Sequence, residues 1–165
     1  YVSGDRKKEG LVLGMSGAKN VTISSRGRFS KGQLINKKQE KESVLHYKDA
    51  MRIKTPSLDQ SVKLLSGGNQ QKVSIAKSLS TQPKILIMDE PTRGVDVGAK
   101  KEIYELMNEF KRNGLGILMI SSEIPELLGV CDRIMVMSEG KIAGVLSRDK
   151  ANSNEIMRLA IGAGV

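Results

Sequence analysis

Leu65-Ser66-Gly67-Gly68-Asn69-Gln70-Gln71-Lys72 and, further along, Ile85-Leu86-Ile87-Met88-Asp89-Glu90-Pro91-Thr92 are the two stretches on which the fold of this chain turns. In the second, four apolar residues predict a strand buried on both faces, and Pro91 stops it just after two carboxylates. Ligands of open α/β sheets bind at that carboxyl end. Side chains alternate along an extended backbone, so Asp89 and Glu90 point apart and can hold different jobs. One would hold the magnesium of a nucleotide through water, the other would orient or deprotonate an attacking water. Two solvated acids at a strand end are the plainer alternative. In the first stretch, paired glycines open a helix whose first turn offers unpaired N–H groups and a positive dipole end, which suits a phosphate. A Ser66 N-cap with an ordinary glycine turn explains the same residues.

Outward from these stretches the periodicity alternates between helix and strand. Val73, Ala76 and Leu79 share a helical face, Pro83 breaks it, and 84–88 reads as the buried strand. Ile103, Leu106, Met107 and Phe110 predict a helix over 97–113 that Gly114 closes. A strand over 116–121, a helix over 123–129 with Ser122 as its N-cap, and a strand over 133–137 follow. A turn at Glu139-Gly140, a strand over 142–146 and a helix near 154–161 complete the series. Upstream, Val44, Tyr47, Ala50 and Met51 predict a helix over 36–53, ended by Thr55-Pro56-Ser57. The pattern implies an α/β layered fold with a mostly parallel sheet, preceded by a helical, basic subdomain.

The 27 Lys and Arg exceed the 18 Asp and Glu, giving a net charge of +9 that sits in the first part of the chain. A basic half raises nucleic acid as a partner. Two Phe, three Tyr and no Trp leave little on which bases could stack, which argues against it. No apolar run has membrane-spanning length. Cys131 is the lone cysteine, so a disulfide framework is excluded; it reads as a small buried side chain and a reducing compartment is expected. His46 has no ligand-spaced partner, the eight Met read as core packing, and Lys100, Lys101, Glu102 and Glu105 read as a solvated helix face with i,i+4 pairs.

Taken together, Leu65–Gln71, the strand ending Met88-Asp89-Glu90, and Gly94-Val95-Asp96 resemble the signature motif, Walker B strand and D-loop of the ABC transporter nucleotide-binding domain. The form Leu-Ser-Gly-Gly-Asn-Gln-Gln-Lys is similar to the second half of the duplicated ATPases that drive import of ribose and related monosaccharides. The resemblance implies a partial P-loop NTPase fold: 1–15 in the Q-loop region of the catalytic core, 16–65 as the helical subdomain, and 66–165 as signature helix and remaining core. It implies ATP and Mg2+ as cofactors, with Glu90 catalytic, Asp89 on Mg2+ through water, and Asp96 at the dimer interface. Ser66, Gly67, Gly68, Asn69 and Gln70 would meet ATP held by the first nucleotide-binding domain of the same transporter. The implied partners are that domain, membrane permease subunits and, indirectly, a periplasmic sugar-binding protein, with no nucleic acid. The implied location is peripheral, on the cytoplasmic side of the inner membrane.

Three departures qualify the resemblance. No Gly-x4-Gly-Lys-Ser/Thr occurs in the 165 residues, so these residues alone are expected to bind ATP weakly and hydrolyse none. The chain is accordingly expected to be a C-terminal piece. Gly4 stands at the Q-loop position where the family's second half commonly has Glu, and Ser122 stands at the switch position usually held by His. Two alternatives remain: a soluble ABC-type ATPase acting on nucleic acid or in translation, and a truncated, inactive interaction module.

Overall fold

The computed structural model describes residues 1–31 and 34–162, arranged in two compact units, Tyr1–Ile120 and Ser121–Val165. In the first unit, a π-helical turn spans Arg6–Gly10, with Asp5 accepting from the Lys7 and Lys8 amides. Helix α1 (Gly17–Thr22) runs into a 3-10 turn (Ile23–Arg28), and the short strands β1 (Ser30–Lys31) and β2 (Leu34–Ile35) pair antiparallel. Helix α2 (Lys37–Ala50) starts where Asn36 caps the Gln39 amide. It ends at Ala50, short of the expected 53, because the chain turns through Arg52 at φ +50°. Helix α3 (Gly67–Leu79) packs on α1, α2 and α4 (Val97–Arg112).

Strand β3 (Ile85–Asp89) lies parallel to β4 (Gly116–Ile120), register Ile87 to Leu118, and its other edge makes a parallel bridge to Val2. Leu86 and Met88 are fully buried, in the same unit as Val73, Ala76, Ile103 and Leu106. On the opposite face of the pair the described residues supply no covering layer. Ile85 is 66% exposed and Leu118 51%, with Ile87 and Ile120 also open. The apolar run is real, but within the described residues only one face of the pair is covered. A contiguous open apolar face drives association. These 165 residues expressed alone should therefore self-associate at about 100 µM. Sedimentation velocity is the check, and a single monomer boundary at that concentration would contradict it.

Helix α3 also departs from its expected amphipathic character. Gln70, Gln71, Lys72, Ser74 and Ser78 are buried along with its apolar residues. Helix α4 keeps Ile103, Leu106 and Met107 inside and ends at Gly114, whose φ of +88° favours glycine.

In the second unit, β5 (Arg133–Ser138) and β6 (Lys141–Ser147) form an antiparallel hairpin, with α5 (Ile124–Val130) and α6 (Ser153–Ala160). Its turn residues Glu139 (φ +48°) and Gly140 (φ +76°) suit the right-handed strand twist. Ile134, Val136, Ile156 and Leu159 make the core, and a Cβ at Gly144 would lie 2.9 Å from Leu159 Cδ1, so a larger residue there would displace that side chain. Cys131 is half-buried against this core rather than enclosed in it. The methionines are divided: Met51, Met88 and Met107 are core, whereas Met15, Met135, Met137 and Met157 are exposed.

Candidate functional site

Ser66 takes an extended conformation and its hydroxyl accepts from the Asn69 amide at 3.4 Å, which starts α3. The N-cap expected at Ser66 is present, with the two glycines following it. Asn69 is committed on two sides: Nδ2 donates to Ser66 Oγ at 3.0 Å and Oδ1 accepts from the Lys54 amide at 2.8 Å. Gln70 turns inward. It is 6% exposed, and Nε2 donates to the Val62 and Leu65 carbonyls at 3.2 Å each, so it shapes the approach to the turn from behind.

Two glycines in the first turn of a helix cost about 1 kcal/mol each relative to alanine. Close approach explains them here. A Cβ at Gly68 would lie 2.5 Å from the Ala99 Cβ in α4 and 3.8 Å from Asp96 Oδ2. A Cβ at Gly67 would lie 3.0 Å from Arg6 Nη2 and 3.2 Å from the Gly94 carbonyl. The first turns of α3 and α4 therefore meet almost backbone to backbone. Asp96 is the N-cap of α4, accepting from the Ala99 amide at 2.9 Å. The structure thus brings Ser66, Gly67, Gly68, Asn69 and Asp96 into one neighbourhood.

Asp89 and Glu90 form a second neighbourhood at the end of β3. The Asp89 amide donates to Val2 O, and Asp89 Oδ2 accepts from the Tyr1 hydroxyl at 3.1 Å, which holds the Tyr1 phenol above its ordinary value. Glu90 adopts φ +41°, a conformation disfavoured for a residue with a side chain, and its amide donates to Ile120 O at 2.9 Å. A Cβ at Gly4 would lie 3.3 to 3.4 Å from Asp89 O, Asp89 Oδ2 and Glu90 Cβ, so the glycine leaves space beside the carboxylates. A cavity of about 200 Å3 lined by Gly4, Asp5, Arg6, Lys7 and Arg93 adjoins it. The larger depression, about 610 Å3, is lined by Arg52, Glu105, Asn108, Glu109, Lys111 and Arg112 and contains none of the motif residues.

Ser122 is exposed in the second unit. It is not the N-cap of α5. Glu123 holds that position, and Ser121 Oγ accepts the Glu123 amide at 3.0 Å and donates to Glu126 Oε2 at 3.0 Å. Pro125 lies in the first turn of the helix, where its missing N–H costs no intrahelical bond.

Among the described residues no group of three or more His, Cys, Asp and Glu is placed to hold a metal. Mg2+ with a nucleotide needs less: one or two carboxylates, with phosphates and waters completing the octahedron. Asp89 fits that demand, since its oxygen meets a neutral phenol and no Lys or Arg among the described residues stands within ion-pair distance.

Sequence reasoning missed three side chains here. Arg6 is 8% exposed and donates to the Arg93 and Gly94 carbonyls; burial pushes its guanidinium below the ordinary arginine value, with Asp5 opposing. Lys72 is 2% exposed, donates to Arg52 O at 3.1 Å and pairs with Glu102, which also binds Lys54 at 3.3 Å. Glu102 and Glu105 therefore reach across to Lys72, Lys54 and Arg52 and are not members of a merely solvated face. One signal was available: Lys72 lies four residues after Gly68 and four before Ala76, a charge inside the helix's buried stripe.

Residues 6–93, just over half the chain, match the family described as ABC transporter. The chain belongs to the ABC transporter family. It is 56% identical over 163 residues to the protein named ribose import ATP-binding protein RbsA of Clostridium perfringens, strains SM101 and 13, covering 98% of this chain and 32% of the relative. The chain thus spans about a third of the length of the curated relatives it matches. Among solved structures, cbiO1 of Clostridium perfringens, part of the ABC transporter complex cbiONQ, superposes with TM-score 0.77 at 23% identity, over 98% of this chain and 62% of the other. The ATP-binding cassette MJ0796, solved as a dimer with ADP and Pi, gives TM-score 0.70 at 20% identity, over 84% and 59%. These likenesses establish the α/β fold of ABC ATPases for this chain.

Proposed function

We propose that these residues form the signature-bearing and Walker B-bearing part of the second nucleotide-binding domain in an ATP-hydrolysing importer of ribose or a related monosaccharide. The observation that carries this reading is the joined neighbourhood of Ser66, Gly67, Gly68 and Asp96, present in a chain 56% identical to a ribose import ATP-binding protein. The first-turn amides of α3 and the Ser66 hydroxyl would face the γ-phosphate of ATP bound by the first nucleotide-binding domain. Asp89 would hold Mg2+ through water, and Glu90 would orient or deprotonate the attacking water of the second site. When bound, Mg2+ neutralises charge developing on the transferred phosphoryl group. The left-handed backbone at Glu90 fits a carboxylate held in place for one task. Asn69 and Gln70 support the loop from within. Residues 16–65, which carry α1, α2 and the short β1–β2 pair, are assigned to the subdomain that meets the membrane permease, itself fed by a periplasmic sugar-binding protein. On this reading the protein would sit peripherally at the cytoplasmic face of the inner membrane; no helix among the described residues is long and apolar enough to cross a membrane.

Loss of the gene in its host should remove high-affinity uptake of ribose or a close monosaccharide relative, while DNA repair and translation stay unchanged. Uptake of radiolabelled monosaccharides, with complementation by the intact gene, is the measurement. Unchanged uptake across that class would overturn the reading.

A further inference from the structure

Arg6 enters the interior two residues after Gly4, the glycine that leaves space beside Asp89 and Glu90. Its Nη1 donates to Arg93 O at 2.6 Å and its Nη2 to Gly94 O at 3.0 Å, two successive carbonyls of one turn. Nε has no partner, and among the described residues no carboxylate stands within ion-pair distance of the guanidinium. Burying a cation against backbone carbonyls alone is unfavourable, and a Met would fill the same space without that penalty. What the guanidinium adds is a rigid planar fork matched to two acceptors.

That fork is layered between the two motif turns. Gly67 lies on one side, where a Cβ would be 3.0 Å from Nη2, and Gly94 on the other, where a Cβ would be 3.7 Å from Nη2 and 3.8 Å from Nη1. Gly94 itself holds φ +64°, which keeps its carbonyl in the turn that leads to Asp96. We propose that Arg6 is a positioning residue that locks the turn 66–68 and the turn 93–96 into one body and ties that body to the strand end at Asp89 and Glu90. The lock stands on this geometry; its effect on turnover rests on the reading given under Proposed function. In that reading the strand end serves one nucleotide and the turn 66–68 the other, and Arg6 is bonded three residues beyond Glu90 and packed against Gly67.

Hydrogen exchange on the protein at its natural length tests the lock. Hydrogen bonds from a charged donor shift a local opening equilibrium by about tenfold or more. Arg6→Met should therefore speed exchange of the Asn69 and Gln70 amides, bonded to Ser66, and of the Val95 and Ala99 amides, bonded to Thr92 and Asp96, together, by about tenfold, with the helix 37–50 unaffected. Arg6→Lys keeps charge and stem but gives up the fork, and should show the same paired change at smaller size. If Arg6→Met leaves no native protein, Arg6→Lys is read in its place. Acceleration of one turn without the other, or of neither, overturns the lock. Steady-state kinetics form the second arm: kcat should fall while KM for Mg-ATP stays within about twofold, because Arg6 is not placed on the nucleotide. A paired exchange change with kcat intact keeps the lock and overturns the phosphate-facing reading of the turn.

Discussion

Gly68→Asp should leave less than about one hundredth of the ATPase rate of the assembled transporter, the size expected when a group aimed at transition-state charge is lost. Two effects combine at this position. A Cβ would be forced to 2.5 Å from Ala99 Cβ, which separates the first turns of α3 and α4, and an added carboxylate would stand near Asp96 as well as near the proposed phosphate. The effects can be separated. Gly68→Ala carries the clash without the charge, and Ala99→Gly opens the space, so the Gly68→Ala/Ala99→Gly pair should recover most of the unfolding midpoint lost by Gly68→Ala. Gly68→Asp/Ala99→Gly should recover stability and still fail to turn over. Full turnover by that double variant would remove the phosphate from the argument and leave only packing. Under the proposed function Glu90→Gln should be milder than Gly68→Asp, because the resemblance puts Ser122 at a position usually held by His and Gly4 at one where the family's second half commonly has Glu, which would leave the site built on this half the weaker one. The reverse order of damage would refute unequal sites.

The second large effect concerns stability and has a direction that pair counting would not give. Glu102→Ala should destabilise the protein by about 3 kcal/mol, whereas Lys72→Met should cost about 1 kcal/mol or less. Lys72 is 2% exposed, so removing its carboxylate strands a cation in the interior, held only by the Arg52 carbonyl. Glu102 is 33% exposed and keeps Lys54 when Lys72 is gone, so the opposite deletion leaves a carboxylate that water and a second cation still serve. Methionine also fills the lysine's volume. Urea unfolding of the two variants decides it, and equal losses would contradict the buried-cation argument. The same pair sets an acid limb. The hydrogen bond from Lys72 holds the Glu102 carboxyl below its usual range, against the opposing effect of desolvation. A folded value below the unfolded one means that this contribution is complete above the unfolded value and is lost as pH falls through the folded one. Lys72→Met should therefore lose less stability than wild type over that acid window.

The order of elements, the two carboxylates at a strand end, and the glycine-opened helix were legible in the sequence because each is a local matter. Periodicity specifies which face of a helix is apolar, and caps act over three residues: Ser66 on the Asn69 amide, Asp96 on the Ala99 amide, Asn36 on the Gln39 amide. Even there a local rule failed at Ser122, since the cap position falls one residue on, at Glu123. What only the tertiary structure decided are the contacts between residues far apart along the chain. Arg6 meets the carbonyls of Arg93 and Gly94, Lys72 meets Glu102, and Gly68 meets Ala99. A lysine in a buried stripe announces that it needs a partner, yet its spacing says nothing of which acid approaches, because that depends on how α3 and α4 cross. The same holds for the burial of β3: four apolar residues specify a strand that can be covered twice, and which layer covers each face is set by distant segments; among the described residues Leu86 and Met88 are enclosed and Ile85 and Ile87 are open.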